Sequence, residues 1–214
     1  VGNAILTVYE ATLEPRWLDE AAWITERVVD LFWDDASGLF HDAPKDGEAL
    51  AVRARDLMDN ATPSGNSLAV ELLIRSAHLF GDERQGDIAQ RVLDRESGFM
   101  ARFPAAFGRL LAVLDQTVAD PVEIAIVGAR DDARTIDLLR AALTPYMPNR
   151  TIAGTAPGED HPHKLPVLEG RDPGTEPGPE PVAYVCERYA CKAPVSDAAA
   201  LAAQLSEVGD RKPS

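Results

Sequence analysis

The stretch DPVEIAIVGARDDARTIDLLRAALTPYM, residues 120–147, decides the fold class of this chain. Its first part, VEIAIVG (122–128), is a short β-branched run typical of a buried strand. The part after the turn has apolar residues at helical spacing and predicts a helix. A strand followed directly by a helix begins an α/β unit. Residues 121–208 are therefore predicted to form a small C-terminal α/β unit with a short, partly parallel sheet.

Further strands and a closing helix are predicted in the same unit. RTIAGTA (150–156) and VAYVCER (182–188) are β-rich runs, and an apolar helical pattern spans about 197–208. Between the two strands, residues 158–181 are rich in Pro, Gly and acidic groups. Such a composition cannot bury enough apolar surface to fold alone, so we expect it to lie on the surface. The tail, 209–214, is expected to fray.

Upstream of this unit, residues 1–120 are predicted to be nearly all α-helical. Apolar residues recur at helical spacing in five segments, which are about 3–12, 15–34, 62–81, 83–98 and 103–120. Thr62 is the expected N-cap of the third helix, Pro63 its first residue and Gly81 its end. Gly98 is expected to close the fourth helix. The fold class is thus mainly α, followed by α/β.

Composition narrows the class of partner. The chain has 21 Lys and Arg against 35 Asp and Glu, a formal charge of −14, which disfavours nucleic acid and anionic membranes as partners. No apolar stretch approaches the roughly 18 residues of a membrane span. Two cysteines are too few for a disulfide scaffold, and we expect a reducing, cytoplasmic location. Because the chain begins with Val and in mid-helical pattern, we expect a fragment.

TPSGNS, residues 62–67, is the main candidate ligand-binding loop. A helix N-terminus presents unpaired N–H groups, and here Ser64, Asn66 and Ser67 add hydroxyl and amide groups while Gly65 permits close approach. Such a group can bind sugar hydroxyls or an anion. The alternative is that these residues only begin a helix.

Residues immediately upstream extend this candidate site. Arg53 is a possible ligand contact, and Asp59 is a possible general base or a group that orients a ligand hydroxyl. Asp and Asn are also common in turns, so a purely structural role is the alternative. In the stretch 34–42, His41 has carboxylates nearby, but no second His lies at the i, i+4 spacing of a helical zinc site, which favours a surface histidine.

The two cysteines, Cys186 and Cys191, leave several interpretations open: a metal site, a redox pair, a structural clip or two small residues. A zinc site with His161 and His163 is disfavoured because those histidines flank a proline in an irregular loop. The spacing also departs from the Cys-x-x-Cys of a redox pair. Cys186 is expected to be buried in a strand, with Cys191 in the following turn. We predict no metal and no cofactor.

A second candidate for anion binding is excluded by its residues. The turn GARDD after the first strand contains one glycine rather than a Gly-x-Gly-x-x-Gly pattern, and Asp131 and Asp132 would repel a pyrophosphate. These aspartates are better explained as a helix cap and a favourable partner of the helix dipole.

Four motifs in this order, LTVYEAT…WLDEA, DNATPSGNSLAVELL, VEIAIVG and AYVCERYACKAPVSD, resemble the C-terminal part of the thioredoxin-domain-containing proteins related to spermatogenesis-associated protein 20. The resemblance covers nearly the whole chain. It implies that residues 1–120 are the last hairpins of an incomplete (α/α)6 toroid, similar to N-acylglucosamine 2-epimerases and six-hairpin glycosidases. It also implies that the TPSGNS loop faces the central cavity, with Asp59, Ser64 and Asn66 matching the motif.

The function expected from this resemblance needs more than these residues. We expect a C-terminal fragment that takes part in carbohydrate binding, or in sugar isomerisation or epimerisation together with the missing N-terminal thioredoxin-like and toroid segments. The alternative is a non-catalytic binding or scaffold module of a larger redox-linked protein. The fragment alone is not expected to be an active enzyme.

Overall fold

The computed structural model describes residues 1–48, 52–171, 180–187 and 190–209. Within these ranges the chain is mixed helical and sheet. The helices are α1 (Gly2–Thr12), α2 (Arg16–Phe32), α3 (Gly65–Phe80), α4 (Glu83–Arg102), α5 (Gly108–Val118), α6 (Ala133–Leu143) and α7 (Ala198–Gly209). The strands are β1 (Trp33–Asp34), β2 (Leu39–Phe40), β3 (Val122–Val127), β4 (Arg150–Thr155), β5 (Val182–Glu187) and β6 (Ala190–Cys191). None of the helices in the described ranges is long and apolar enough to cross a membrane.

The chain divides into two compact units that do not follow chain order strictly. The first contains Val1–Leu6 and Leu18–Val118, and the second contains Thr7–Trp17 and Ala119–Ser214. The segment around Leu13 belongs to the second unit because its side chain is buried in that unit's core. A Cβ placed on Gly154 of β4 would lie 2.5 Å from Leu13 Cδ1, so a larger residue there would displace the buried Leu13 side chain.

The first unit has its core between α3, α4 and α5 and the β1–β2 hairpin. Its buried residues are Val29, Trp33, Leu39, Phe40, Ala69, Val70, Leu73, Ile74, Ile88, Ala89, Val92, Leu93, Met100, Phe107, Leu110 and Val113. The helices predicted in this part are present, and Gly81 ends α3 in the left-handed conformation with φ of 70°, as predicted. The ring arrangement of a toroid remains an expectation from the resemblance.

Three predicted boundaries in the first unit are wrong. The N-cap of α3 is Ser64 rather than Thr62, because the Ser64 hydroxyl accepts the N–H of Ser67. Helix α4 continues through Gly98 to Arg102, which places Met100 in the core; burying this side chain offsets the roughly 1 kcal/mol cost of a mid-helix glycine. Residues 103–120 are not one helix, since a single 3₁₀ turn at Pro104–Ala106 precedes α5.

The second unit contains a four-stranded mixed sheet in the order β4–β3–β5–β6. Strands β3 and β4 are parallel, as predicted, and α6 lies between them in the chain; β5 is antiparallel to β3, and β6 to β5. Helices α6 and α7 pack together, and Leu138, Leu201 and Leu205 belong to the core. Asp132 caps α6 by accepting the N–H of Arg134, which confirms its predicted structural role. The tail predicted to fray is 209–214; Gly209 is the last residue of α7, and 210–214 lie outside the described residues.

Candidate functional site

Asn66, in the first turn of α3, is a buried connector between three segments. Its Oδ1 accepts the N–H of Phe40 at 2.8 Å, and its Nδ2 donates to the carbonyl of Phe40 at 2.9 Å and to the carbonyl of Asp56 at 3.2 Å. Only 1% of the residue is exposed. Both amide hydrogens therefore have main-chain acceptors, and Asn66 fixes β2 and the preceding loop against the start of α3.

The two serines of the TPSGNS loop also bond locally. Ser64 Oγ accepts the Ser67 N–H at 3.1 Å and donates to Ser67 Oγ at 2.9 Å. Both serines are buried, and so is Asn66. Gly65, which lies between Ser64 and Asn66, is exposed. A Cβ on Gly65 would lie 3.5 Å from Asp42 Oδ1, an ordinary contact. Of the loop's predicted ligand contacts, Gly65 is thus the one that faces solvent.

Asp59 joins the starts of two helices. Its Oδ1 accepts the N–H of Ser64 at 2.9 Å, and its Oδ2 accepts the N–H of Arg109 at 2.7 Å. Ser64 caps α3 and Arg109 lies in the first turn of α5, where N–H groups lack intrahelical partners. A carboxylate is favoured at helix N-termini, so this geometry gives Asp59 a positioning role.

Arg53 fixes the other side of the loop. Its Nε donates to the carbonyl of Ala43 at 3.2 Å, and its Nη2 donates to the carbonyls of Ala43 and Leu31. The carbonyl of Arg53 itself lies 3.1 Å from His41 Nδ1. The guanidinium of Arg53 thus holds the loop to the end of α2, and the main-chain carbonyl of Arg53 orients the imidazole ring of His41.

These contacts position a charged group of Asp34, His41 and Arg55, which we call the acid–base cluster. Arg55 Nη2 donates to Asp34 Oδ2 at 2.5 Å and lies 3.1 Å from His41 Nε2. Because Arg55 can only donate, His41 Nε2 is the acceptor and its Nδ1–H donates to the carbonyl of Arg53. The side chains of Asp34 and Arg55 are 27% and 31% exposed, so a ligand in solvent can reach them.

The charge on Asp34 is stabilised by its neighbours. A hydrogen bond from the Ser37 hydroxyl, at 2.6 Å from Asp34 Oδ2, lowers the pKa of Asp34, and the N–H of Ala36 and the charge of Arg55 lower it further. Asp34 is therefore ionised at neutral pH. The cluster presents a fixed carboxylate beside a fixed guanidinium.

A second carboxylate closes the loop near the exposed Gly65. Both oxygens of Asp42 accept the N–H of Asp56, at 3.1 and 2.9 Å, and the N–H of Asp42 donates to the carbonyl of Ala54. Asp42 is itself exposed. The segment from His41 to Asp56 is thus tied back on itself by pairs of hydrogen bonds, although residues 49–51 lie outside the described residues.

Most parts of this region are predicted from the sequence, but their arrangement is not. His41 is predicted to lie on the surface, whereas only 11% of its side chain is exposed and the ring is held between Arg53 and Arg55. Arg55 is not among the predicted site residues. The sequence does have two arginines, Arg53 and Arg55, close to the acidic stretch at 34–42. This pattern predicts ion pairing, but it does not say which arginine pairs with a carboxylate and which bonds to main-chain carbonyls.

The cysteines form a disulfide in β5 and β6. Cys186 is 2% exposed, which confirms its predicted burial, and it is bonded to Cys191, which lies in β6 rather than in a turn. Sulfur atoms joined in this way are not zinc ligands. His161 lies 3.7 Å from Glu159, and in the described residues no group of three potential metal ligands occurs.

Comparison with known proteins gives one set of relatives, and no family model matches the chain. The chain is 30% identical over 204 residues to spermatogenesis-associated protein 20 of Homo sapiens, 29% identical to that of Rattus norvegicus and 28% identical to that of Mus musculus. Each alignment covers 92% of this chain and 25% of the relative. The chain is therefore a relative of spermatogenesis-associated protein 20 and spans about a quarter of the length of these proteins.

Proposed function

We propose that the acid–base cluster and the adjoining loop bind a carbohydrate or a chemically similar polyol. The observation that supports this is that residues of the loop have two different roles. Asn66, Asp59 and Arg53 bond to main chain and fix the loop. Asp34 and Arg55 are thereby held in place with their side chains partly exposed to solvent. A site whose reactive groups are fixed by other side chains loses little conformational entropy when a ligand binds.

Carbohydrate chemistry suits these groups. Each sugar hydroxyl both donates and accepts, so an ionised carboxylate can accept from one hydroxyl while a guanidinium donates to its neighbour. Both contacts of Arg55 in the cluster use Nη2. The Nε and Nη1 donors of Arg55 have no partner among the described residues and are the groups proposed to bind a hydroxyl pair.

Catalytic turnover is proposed only for a protein that also contains the other segments of the longer relatives. Sugar isomerisation or epimerisation needs a base that removes a proton beside a carbonyl. Both oxygens of Asp59 are occupied by main-chain N–H groups. Both ring nitrogens of His41 are also engaged, with the carbonyl of Arg53 and with Arg55 Nη2, so neither residue offers a free base. We propose that this chain supplies ligand contacts and that segments corresponding to the unaligned part of the longer relatives complete the reaction.

The experiment is ligand titration of the 214-residue chain by calorimetry against mono- and disaccharides, with Arg55→Gln as the test variant. The expected result is binding by the parent chain that weakens at least tenfold in Arg55→Gln, the loss of one charge-assisted contact. Arg134→Gln is the matched control, since Arg134 also pairs with a carboxylate, Asp132, but lies in the other unit.

Two results would contradict the proposal. If the parent chain and Arg55→Gln bind every sugar with equal affinity, the acid–base cluster is not part of the binding site. If the parent chain binds no sugar in the titration but does bind the remaining segments of the longer relatives, a non-catalytic scaffold module is favoured.

A further inference from the structure

The disulfide of the second unit joins two strands that already hold its sulfur atoms together. Cys186 of β5 and Cys191 of β6 are directly opposite each other in the antiparallel register. The N–H of Lys192 donates to the carbonyl of Val185 at 2.9 Å, so the neighbouring residue pair is a hydrogen-bonded one. The cysteines therefore occupy a non-hydrogen-bonded pair, where side chains approach most closely. The strand pairing keeps the sulfurs near each other whether or not the bond is formed.

The two sulfurs differ in access from solvent. Cys186 is 2% exposed, and its strand lies inside the sheet between β3 and β6. Cys191 is exposed and lies on β6 at the edge of the sheet. An incoming thiolate can therefore reach Cys191 Sγ, and the sulfur that leaves is that of Cys186.

A guanidinium lies against both sulfur atoms. Arg171 Nη2 is 2.7 Å from Cys186 Sγ and 3.0 Å from Cys191 Sγ, and its guanidinium carbon lies 5.6 Å from the centre of the Tyr184 ring. Arg171 Nη1 is buried without a hydrogen-bond partner in the described residues. A neutral disulfide sulfur is a weak acceptor and compensates poorly for this partial burial of a cation. A thiolate would compensate for it well, because adjacent cations stabilise the ionised form of cysteine.

Among the described residues, the other charges near the hairpin do not neutralise Arg171. Lys192 Nζ pairs with Glu207 Oε2 at 2.7 Å and donates to the carbonyl of Gln204 at 3.0 Å, so it is committed to α7. Glu187 follows Cys186 in β5, and successive strand residues point to opposite faces of a sheet. In the described part of the chain, Arg171 is thus the charged group that touches the sulfurs.

We infer that Cys186 and Cys191 form a thiol–disulfide exchange site that accepts two electrons from a dithiol reductant. In the first step, a thiolate of the reductant attacks Cys191 Sγ, the bond between Cys191 and Cys186 breaks, and Cys186 leaves as a thiolate beside Arg171. In the second step, the other thiolate of the reductant attacks the reductant's own sulfur in the mixed disulfide and releases Cys191 as a thiolate, which takes a proton from water. The reductant ends as a disulfide, and both cysteines end reduced.

This site is independent of the proposed carbohydrate site, because it uses residues of the second unit and none of the loop 34–67. From sequence, a redox pair is disfavoured because the spacing is not Cys-x-x-Cys. That spacing rule applies to cysteines at the start of a helix, whereas a hairpin brings together cysteines separated by 5 in sequence.

The test follows reduction of the folded 214-residue chain by dithiothreitol, with acid quenching, alkylation and mass spectrometry. We expect the bond to open in the folded state, with the far-UV circular dichroism retained, and much faster than the chain unfolds globally. Arg171→Gln is expected to slow this reduction by about tenfold, since the leaving thiolate loses its cation. Arg171→Lys should keep most of the rate, and Arg134→Gln all of it.

A second pair of variants tests the direction of attack. With oxidised glutathione as the probe, Cys186→Ser leaves the exposed Cys191 thiol and should form a mixed disulfide readily. Cys191→Ser leaves the buried Cys186 thiol and should react at least about tenfold more slowly. Reduction no faster than global unfolding would show a structural clip and overturn the inference. So would equal rates for the parent chain and Arg171→Gln, or faster trapping of Cys186 than of Cys191.

Discussion

Asn66 and Phe40, 26 residues apart in sequence, exchange two hydrogen bonds, at 2.8 and 2.9 Å, as paired strand residues do. The side-chain amide of Asn66 takes the place of a neighbouring strand for the main chain of β2. A third bond, from Nδ2 to the carbonyl of Asp56, adds the polar loop. A buried main-chain group without a partner costs free energy, so this one side chain decides whether the loop can lie against α3.

Asn66→Ala is expected to lower the free energy of unfolding by about 3 kcal/mol, because it leaves three buried or half-buried main-chain groups unpaired. Urea denaturation followed by circular dichroism measures this. Asn60→Ala is the control, since Asn60 is exposed and its side chain bonds only locally, to the carbonyl of Met58 at 3.4 Å. Its cost should stay within about 0.5 kcal/mol. Equal costs for the two variants would contradict the connecting role of Asn66.

Asp59→Ala tests the two hydrogen bonds by which this carboxylate joins the N-termini of α3 and α5. One carboxylate caps the beginnings of α3 and α5, so its loss should cost roughly 2 kcal/mol, the upper end of the range for a single cap. Asp82→Ala is the comparison, because Asp82 caps only α4, through the N–H of Gln85 at 3.1 Å. The same denaturation experiment applies to both. A smaller loss for Asp59→Ala than for Asp82→Ala would rule out a double cap.

The elements of this fold could be predicted from sequence more readily than its polar contacts. The β-branched run at Val122–Val127 and the helical spacing after Asp132 depend on local pattern, and both predictions are confirmed. The N-cap was misplaced from Ser64 to Thr62 because both residues are good caps, and the choice depends on the buried bond to Ser67. Local pattern carries no information on which partner a polar side chain finds dozens of residues away.

The same lack of long-range information in local sequence patterns explains why the arrangement of the candidate site could not be predicted. Asn66, Ser64 and Asp59 are predicted from their chemistry to contact a ligand, but their side chains bond to main chain and, for Ser64, also to the Ser67 hydroxyl. Arg55, which is not among the predicted site residues, lies at the centre of the cluster. Likewise the pairing of Cys186 with Cys191 depends on the register of a hairpin. Register is set by contacts between strands, and a spacing of five residues does not specify it.

Arg109→Ala tests an ion pair between α5 and α3 in which Glu71 is buried and the Arg109 side chain is 43% exposed. Arg109 Nε donates to Glu71 Oε2 at 2.9 Å and its Nη2 to the other oxygen, while only 7% of the Glu71 side chain is exposed. Removing the cation leaves a buried carboxylate unpaired, and we expect a loss of about 3 kcal/mol. The double variant Glu71→Gln with Arg109→Ala should recover part of this loss, which a double-mutant cycle measures.

The exposed pair of Arg140 and Asp137 is the control for this cycle. Its atoms lie 3.3 Å apart with side chains 75% and 59% exposed, so Arg140→Ala should change stability by at most about 0.5 kcal/mol. A coupling energy for Glu71 and Arg109 no larger than that of the surface pair would contradict the importance of burial.

Glu96→Gln is expected to stabilise the chain at neutral pH. Glu96 lies one turn from Val92 and one turn from Met100 on the core face of α4, its side chain is 3% exposed, and its Oε2 has no hydrogen-bond partner in the described residues. Burial raises the pKa of Glu96, and Arg95, whose Nε lies 3.5 Å from Oε1, opposes this only partly. The folded chain therefore retains a proton on Glu96 at pH values where the unfolded chain has released it.

The sign of the pH dependence follows from this proton. Where the folded state binds more protons than the unfolded state, stability falls as pH rises, here from the unfolded-state pKa of about 4.3 up to the raised pKa of the folded state. Glu96→Gln removes this slope, so its gain in urea midpoint should be largest above that window and should vanish below it. Glu26→Gln, at an exposed position of α2, should follow the parent chain at every pH. A gain for Glu96→Gln that stays constant between pH 4 and pH 8 would mean that burial of its charge is not the cause.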